Sequence, residues 1–205
     1  MSWQQASAPV RRRSAAGTAL RVSLLFIGGL YAVELLDQAL GSRLERAGGV
    51  EPLENDGLDG ILFAPALHGT WEHLLANTVP LFVFGFLVLL AGVRRWLAVT
   101  AAVWLVGGAG VWLTGGAGTI HIGASILVFG WLTYLLLRGL FSWNAGQLAL
   151  GVILLLVYGG LLWGVLPGQP GVSWQGHLFG AVGGGLAAWW FGRADRLRGE
   201  TRGWP

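Results

Sequence analysis

The sequence predicts an all-α membrane protein, a bundle of six transmembrane helices, and three observations predict it. Of its 205 residues 54% are hydrophobic and only 11% charged, and the mean hydropathy is +0.62, a balance foreign to soluble domains. The apolar residues fall in continuous runs of about 20, the length a helix needs to cross the hydrocarbon core. These runs lack the period-2 alternation and regular turns of an outer-membrane barrel, and lipid tolerates only helices or closed barrels.

Span 1 is expected at residues 19–39, behind a small, polar and basic segment at 1–18 that is expected to be disordered. It is longer than the roughly 7–15-residue apolar core of a secretory signal and lacks a small-x-small cleavage site, so it reads as a retained anchor. A long connection at 41–72 follows, acidic at first and apolar around Pro65, its second half expected in the membrane interface. Spans 2 to 6 are expected at 73–93, 96–114, 122–138, 146–166 and 175–192, with a polar tail at 193–205. The membrane domain is therefore 19–192, flanked by two tails.

All 13 basic residues are arginine, and their placement orients the bundle. Arg11, Arg12, Arg13 and Arg21 flank or enter span 1, Arg94 and Arg95 separate spans 2 and 3, and Arg138 ends span 4. Arg193, Arg196, Arg198 and Arg202 follow span 6, and only Arg43 and Arg46 lie elsewhere. The positive-inside rule then puts both termini in the cytoplasm of a multi-pass plasma-membrane protein and leaves the 1–2, 3–4 and 5–6 loops outside. The basic excess is a topology signal and not a nucleic-acid patch. With no cysteine in the chain, disulfides, thiol catalysis and thiolate metal sites are excluded together.

In that topology spans 2, 4 and 6 run inward from the outer face, and each opens on polar residues. His73 and Asn77 share one face of span 2, Ser125 opens span 4 and His177 opens span 6. All four lie at similar depth. Singly they have bland explanations: a membrane serine usually bonds its own backbone, and an asparagine holds helices together. Together, an imidazole can activate a serine as nucleophile, and His73, Asn77 and the Ser125 amide can receive the oxyanion. Gly180 and Gly184 form a GxxxG pattern that admits a neighbouring helix, although glycine is common in this chain. His68, His121 and Glu72 raise the alternative of a metal site or transporter, against which stands the lack of ligand spacing such as HExxH. Glu34 and Asp37 near the outer end of span 1 are expected to be solvated or to pair locally.

The motifs His73-Leu74-Leu75-Ala76-Asn77, Gly123-Ala124-Ser125 and His177 with Gly180 and Gly184, in this order and topology, resemble the rhomboid family of intramembrane serine proteases, in its bacterial six-span form. The resemblance covers nearly the whole chain from span 1 to span 6. It implies that Ser125 attacks the scissile carbonyl, that His177 serves as base and then acid, and that His73, Asn77 and the Ser125 amide hold the oxyanion. It further implies that Gly123 supports the turn before the nucleophile and that Phe129 lies beneath the histidine ring. His68 matches a less strictly required outer histidine, and span 5 with the 5–6 loop forms a gate and cap. Substrates would be membrane-anchored proteins cut in or near a transmembrane segment, with no cofactor or metal. Three positions depart from the family pattern. Ile126 replaces the second glycine of GxSG, Phe129 replaces the usual tyrosine, and Asp59-Gly60 stands near the place of a Trp-Arg pair. Ile126 either widens the Ser125–His177 gap or faces lipid, and a catalytically inactive protein that binds client helices is the alternative function.

Overall fold

A computed structural model describes residues 14–202. Eight α-helices form among them: α1 (Ala15–Ala39), α2 (Arg43–Gly48), α3 (Gly60–Phe63), α4 (Trp71–Leu89), α5 (Val93–Thr114), α6 (Ser125–Ser142), α7 (Ala145–Tyr158) and α8 (Trp174–Arg202). Short 3₁₀ turns cover Asn55–Gly57, Ala64–Ala66 and Gly159–Val165. Among the described residues the only extended pairing is an isolated antiparallel bridge between Val50 and His121, which joins the 1–2 loop to the 3–4 loop. All-helical architecture is as expected.

Among the described residues five helical stretches are long and apolar enough to cross a membrane: α1, α4, α5, α6, and Ala145–Val165, which comprises α7 and its 3₁₀ continuation. The protein is an integral membrane protein. The sixth expected span, at 175–192, lies within α8, which is not among the five. Its first turns carry Gln175, His177 and repeated glycines, and Arg193, Asp195, Arg196 and Arg198 follow at its other end. That composition suits an inner helix, and α8 packs along both α6 and α5.

The helix limits refine the expected ones for local reasons. Ser14 accepts the Gly17 amide at 3.0 Å and starts α1 at Ala15, so residues 15–18 are helical, while 1–13 of the expected tail lie outside the described residues. The fourth span begins at Ser125 instead of 122, because Gly123 takes φ +120° and cannot continue a helix. The last helix runs through 193–202 because Asp195 is gripped by both guanidinium nitrogens of Arg95 at 2.9 and 2.7 Å; residues 203–205 lie outside the described residues.

Helix α6 is the axis of the bundle, with Leu127, Trp131, Leu132 and Tyr134 fully buried. It meets α8 backbone to backbone. A Cβ on Gly184 would overlap the Gly130 carbonyl and one on Gly180 would overlap the Ile126 carbonyl, so both glycines of the GxxxG pattern are required by the approach. Helix α1 lies outside, against α4, with the Tyr31 hydroxyl 3.0 Å from Thr78 Oγ1. Its two acidic residues are buried and pair locally. Asp37 accepts the Leu44 and Glu45 amides at 2.7 and 3.2 Å, supplying the cap that Ser42 does not, and Glu34 accepts from Gln38 Nε2 at 2.9 Å.

Candidate active site

The turn before Ser125 is built ahead of the helix that carries it. Gly123 donates its amide to the Ala64 carbonyl at 2.9 Å, and a Cβ there would come within 2.6 Å of the His73 ring, so only glycine fits both the dihedral and the space. The next amide, of Ala124, donates to His68 Nε2 at 3.3 Å. Burial, aided by the neighbouring His73, pushes the His68 imidazole down to about 4, so the ring stays neutral and able to accept. Ser125 follows as the first residue of α6, where helix amides have no intrahelical acceptor.

Ser125 Oγ lies 2.9 Å from His177 Nε2 on α8. The imidazole is only 8% exposed and is stacked on Phe129, with ring centroids 3.9 Å apart and planes 10° from parallel. Its Nδ1 faces the Gly164 carbonyl at 2.9 Å. An open cavity of about 940 Å³ spreads from this pair, walled by α4, the Gly159–Val165 turn, the 3–4 loop and the segment leading into α8. His73 and Asn77 line it from α4, and Asn77 Nδ2 is buried there with no hydrogen-bond partner. Thr70 caps α4 by accepting the His73 amide at 3.2 Å, which fixes the turn that carries both. All four sequence-predicted polar residues thus border one cavity.

Ile126 neither faces lipid nor widens the gap. It is 6% exposed, and its side chain occupies the space that a Cβ on Gly107 of α5 would take. The extra volume beside Ser125 is absorbed by Gly107 of α5, and the Ser125–His177 contact stays short. This pairing is tertiary; nothing in the local sequence marks Gly107 among its neighbours.

The outer histidines divide by partner. His121 Nδ1 lies 2.7 Å from Ser173 Oγ and its Nε2 lies 2.8 Å from Thr119 Oγ1, tying the 3–4 loop to the start of α8. Burial lowers the His121 pKa from its ordinary value. Among the described residues no three His, Asp or Glu side chains converge as metal ligands. Sequence reasoning missed the use of His68 as acceptor for the turn before Ser125, the seat at Gly107 and the contact of Gly164 with His177. Only the last had a local signal, the proline at 167.

A family model described as the Rhomboid domain matches residues 56–194. Uncharacterized proteins of Mycobacterium tuberculosis and Mycobacterium bovis are 51% identical over 181 residues, covering 84% of this chain and 75% of theirs. One of Mycobacterium leprae is 49% identical, covering 84% of this chain and 71% of its own. With the Rhomboid match extending over most of the chain and every helix from α4 to α7 inside it, the protein belongs to the rhomboid family.

Proposed function

We propose that the protein is an intramembrane serine endopeptidase that hydrolyses peptide bonds in or next to transmembrane segments of membrane-anchored proteins. The observation that carries this reading is the 2.9 Å contact between Ser125 Oγ and His177 Nε2 on the wall of an open cavity. Ser125 donates its proton to Nε2 as Oγ attacks the scissile carbonyl, giving a tetrahedral intermediate. The oxyanion is received by the Ser125 amide, Asn77 Nδ2 and His73, donors that stand ready before substrate arrives. Asn77 fits that part because its amide is buried without a partner, a state that costs stability and gains meaning only when an acceptor is delivered. His177 then protonates the leaving amine, and a water activated by the same imidazole releases the acyl group. The chemistry draws on side chains and backbone alone.

The same reading places α8 as the sixth span, both termini in the cytoplasm and the cavity mouth at the outer side of the plasma membrane. It takes 19–192 as the membrane domain. Lipid bilayer and a substrate helix are the partners, and the cavity wall formed by α4 and Gly159–Val165 is where that helix would enter.

The test is labelling of purified protein in detergent or liposomes with a serine-reactive fluorophosphonate, alongside cleavage of a model transmembrane substrate. Wild type should label and cut, and Ser125→Ala should do neither while remaining folded. Folded wild type that neither labels nor cuts would leave the alternative, an inactive protein that binds client helices. Cleavage retained in Ser125→Ala would remove Ser125 from the mechanism.

A further inference from the structure

A base that must take a proton on one nitrogen needs its other nitrogen held, and in this chain no carboxylate does so. His177 Nδ1 instead meets the Gly164 main-chain carbonyl at 2.9 Å. A carbonyl only accepts, so Nδ1 bears the hydrogen and Nε2 is the free acceptor facing Ser125 Oγ at 2.9 Å. We infer that the Gly164 carbonyl is the third member of the catalytic unit, a positioning group that fixes the tautomer and orientation of His177. This rests on the protease reading above.

The sequence explains why this carbonyl is available. Gly164 lies in the 3₁₀ turn Gly159–Val165, in which each carbonyl would accept the amide three residues on. The Trp163 carbonyl does so, receiving the Leu166 amide at 3.1 Å. For Gly164 the third residue on is Pro167, which has no amide hydrogen. The carbonyl is thus left over by the turn and spent on the imidazole. The residue type follows from space: a Cβ on Gly164 would stand 2.8 Å from Phe129 Cζ and 3.1 Å from His177 Nδ1, against the edges of both stacked rings. Glycine lets the backbone close on the ring where a side chain would lever it away. Because the turn also walls the cavity, displacing it to admit a substrate would loosen the base, and its return would restore it.

Two variants test this. Replacing Val165 by its α-hydroxy acid turns the 164–165 amide into an ester, which weakens the Gly164 carbonyl as acceptor without adding an atom. It should lower kcat about 3–10-fold with KM nearly unchanged, while the same replacement at Leu162, which leaves the Gly164 carbonyl an amide, should not. Gly164→Ala should lower kcat about 100-fold through displacement of the ring. Independently of turnover, ¹⁵N NMR of His177 should show protonated Nδ1 and bare Nε2 in wild type, and a mixture of tautomers in the Val165 ester. An ester with wild-type kcat and an unchanged Nδ1-protonated ring would overturn the assignment. Wild type that folds but neither labels nor cleaves would sink the protease reading alone, with the tautomer measurement still deciding the role of Gly164.

Discussion

The pair α6 and α8 and the flanking wall formed by α7 with its 3₁₀ turn serve one site by opposite means. In α6, 56% of the apolar window is buried, and in Ala145–Val165 only 11%. Ser125 and His177 ride on the first pair, whose backbones touch through Gly130, Gly180 and Gly184. The flank offers exposed Leu156 and Val157 to its surroundings and gives the site one carbonyl. The Ser125–His177 distance is thus set by a close-packed contact that cannot give, and access to the cavity is left to a wall with little to lose by moving. Helix α4 stands between these extremes. It packs Leu74, Leu81, Phe84 and Val88 into the core and turns polar side chains to the cavity, where Asn77 Nδ2 is buried without a partner.

If that division is right, substitutions of the polar residues that α4 turns to the cavity should change rate without stability, and those between α6 and α8 should change both. The largest effect is expected for Asn77→Ala, which should lower kcat about 10²–10³-fold, roughly 3–4 kcal/mol of barrier. Its melting temperature should hold or rise, since an unsatisfied buried amide is removed. A matching loss of stability would break the comparison.

Next is acidification, which acts through the turn before the nucleophile. The His68 pKa is about 4 in the fold against an ordinary 6.5, so between these values the unfolded chain binds a proton that the fold refuses. Stability is full above pH 6.5 and falls as pH drops toward 4, by roughly 3 kcal/mol. His121, also lowered by burial, adds in the same direction. Thermal melting as a function of pH checks this, and His68→Gln, which keeps an acceptor for the Ala124 amide, should flatten most of the slope.

Gly184→Val forces a side chain into the Gly130 carbonyl and should cost about 2–3 kcal/mol, with cleavage lost in parallel. Leu156→Ala on the exposed face of α7 should stay within about 0.5 kcal/mol. Equal costs at the two positions, read by denaturation in the same detergent, would erase the contrast. A smaller effect than that of Gly184→Val concerns Ile126. Gly107→Ala should be destabilising alone and less so in combination with Ile126→Ala, with a coupling of about 1 kcal/mol in a double-mutant cycle. Simple additivity would show that Gly107 is not its seat.

Much of this was legible in the chain because it depends on order and period. Continuous apolar runs define the helices to within a few residues, and the spacing of His73 and Asn77 puts them on one face before any fold is known. The end of the fourth span was less legible, since Trp143 takes φ +53° only after α6 has run on to Ser142. So was α8, whose apolar stretch is diluted by glycines that make sense only against Gly130 and Val103. Asp37 illustrates the same limit: its partners are the Leu44 and Glu45 amides of α2, which folds back on α1, whereas Glu34 pairs with Gln38 one turn on within α1.

By itself the sequence determined a helical membrane protein of the rhomboid family with a serine, two histidines and an asparagine at the mouths of three helices. Those features are local or additive along the chain: hydropathy, charge placement and residue type at fixed spacing. Only the tertiary structure decided that Ile126 is seated on Gly107, that His68 props the turn before Ser125, and that the carbonyl freed by Pro167 meets His177. Each joins segments distant in sequence, where packing fixes the partner to within a few tenths of an ångström and composition carries no record of it.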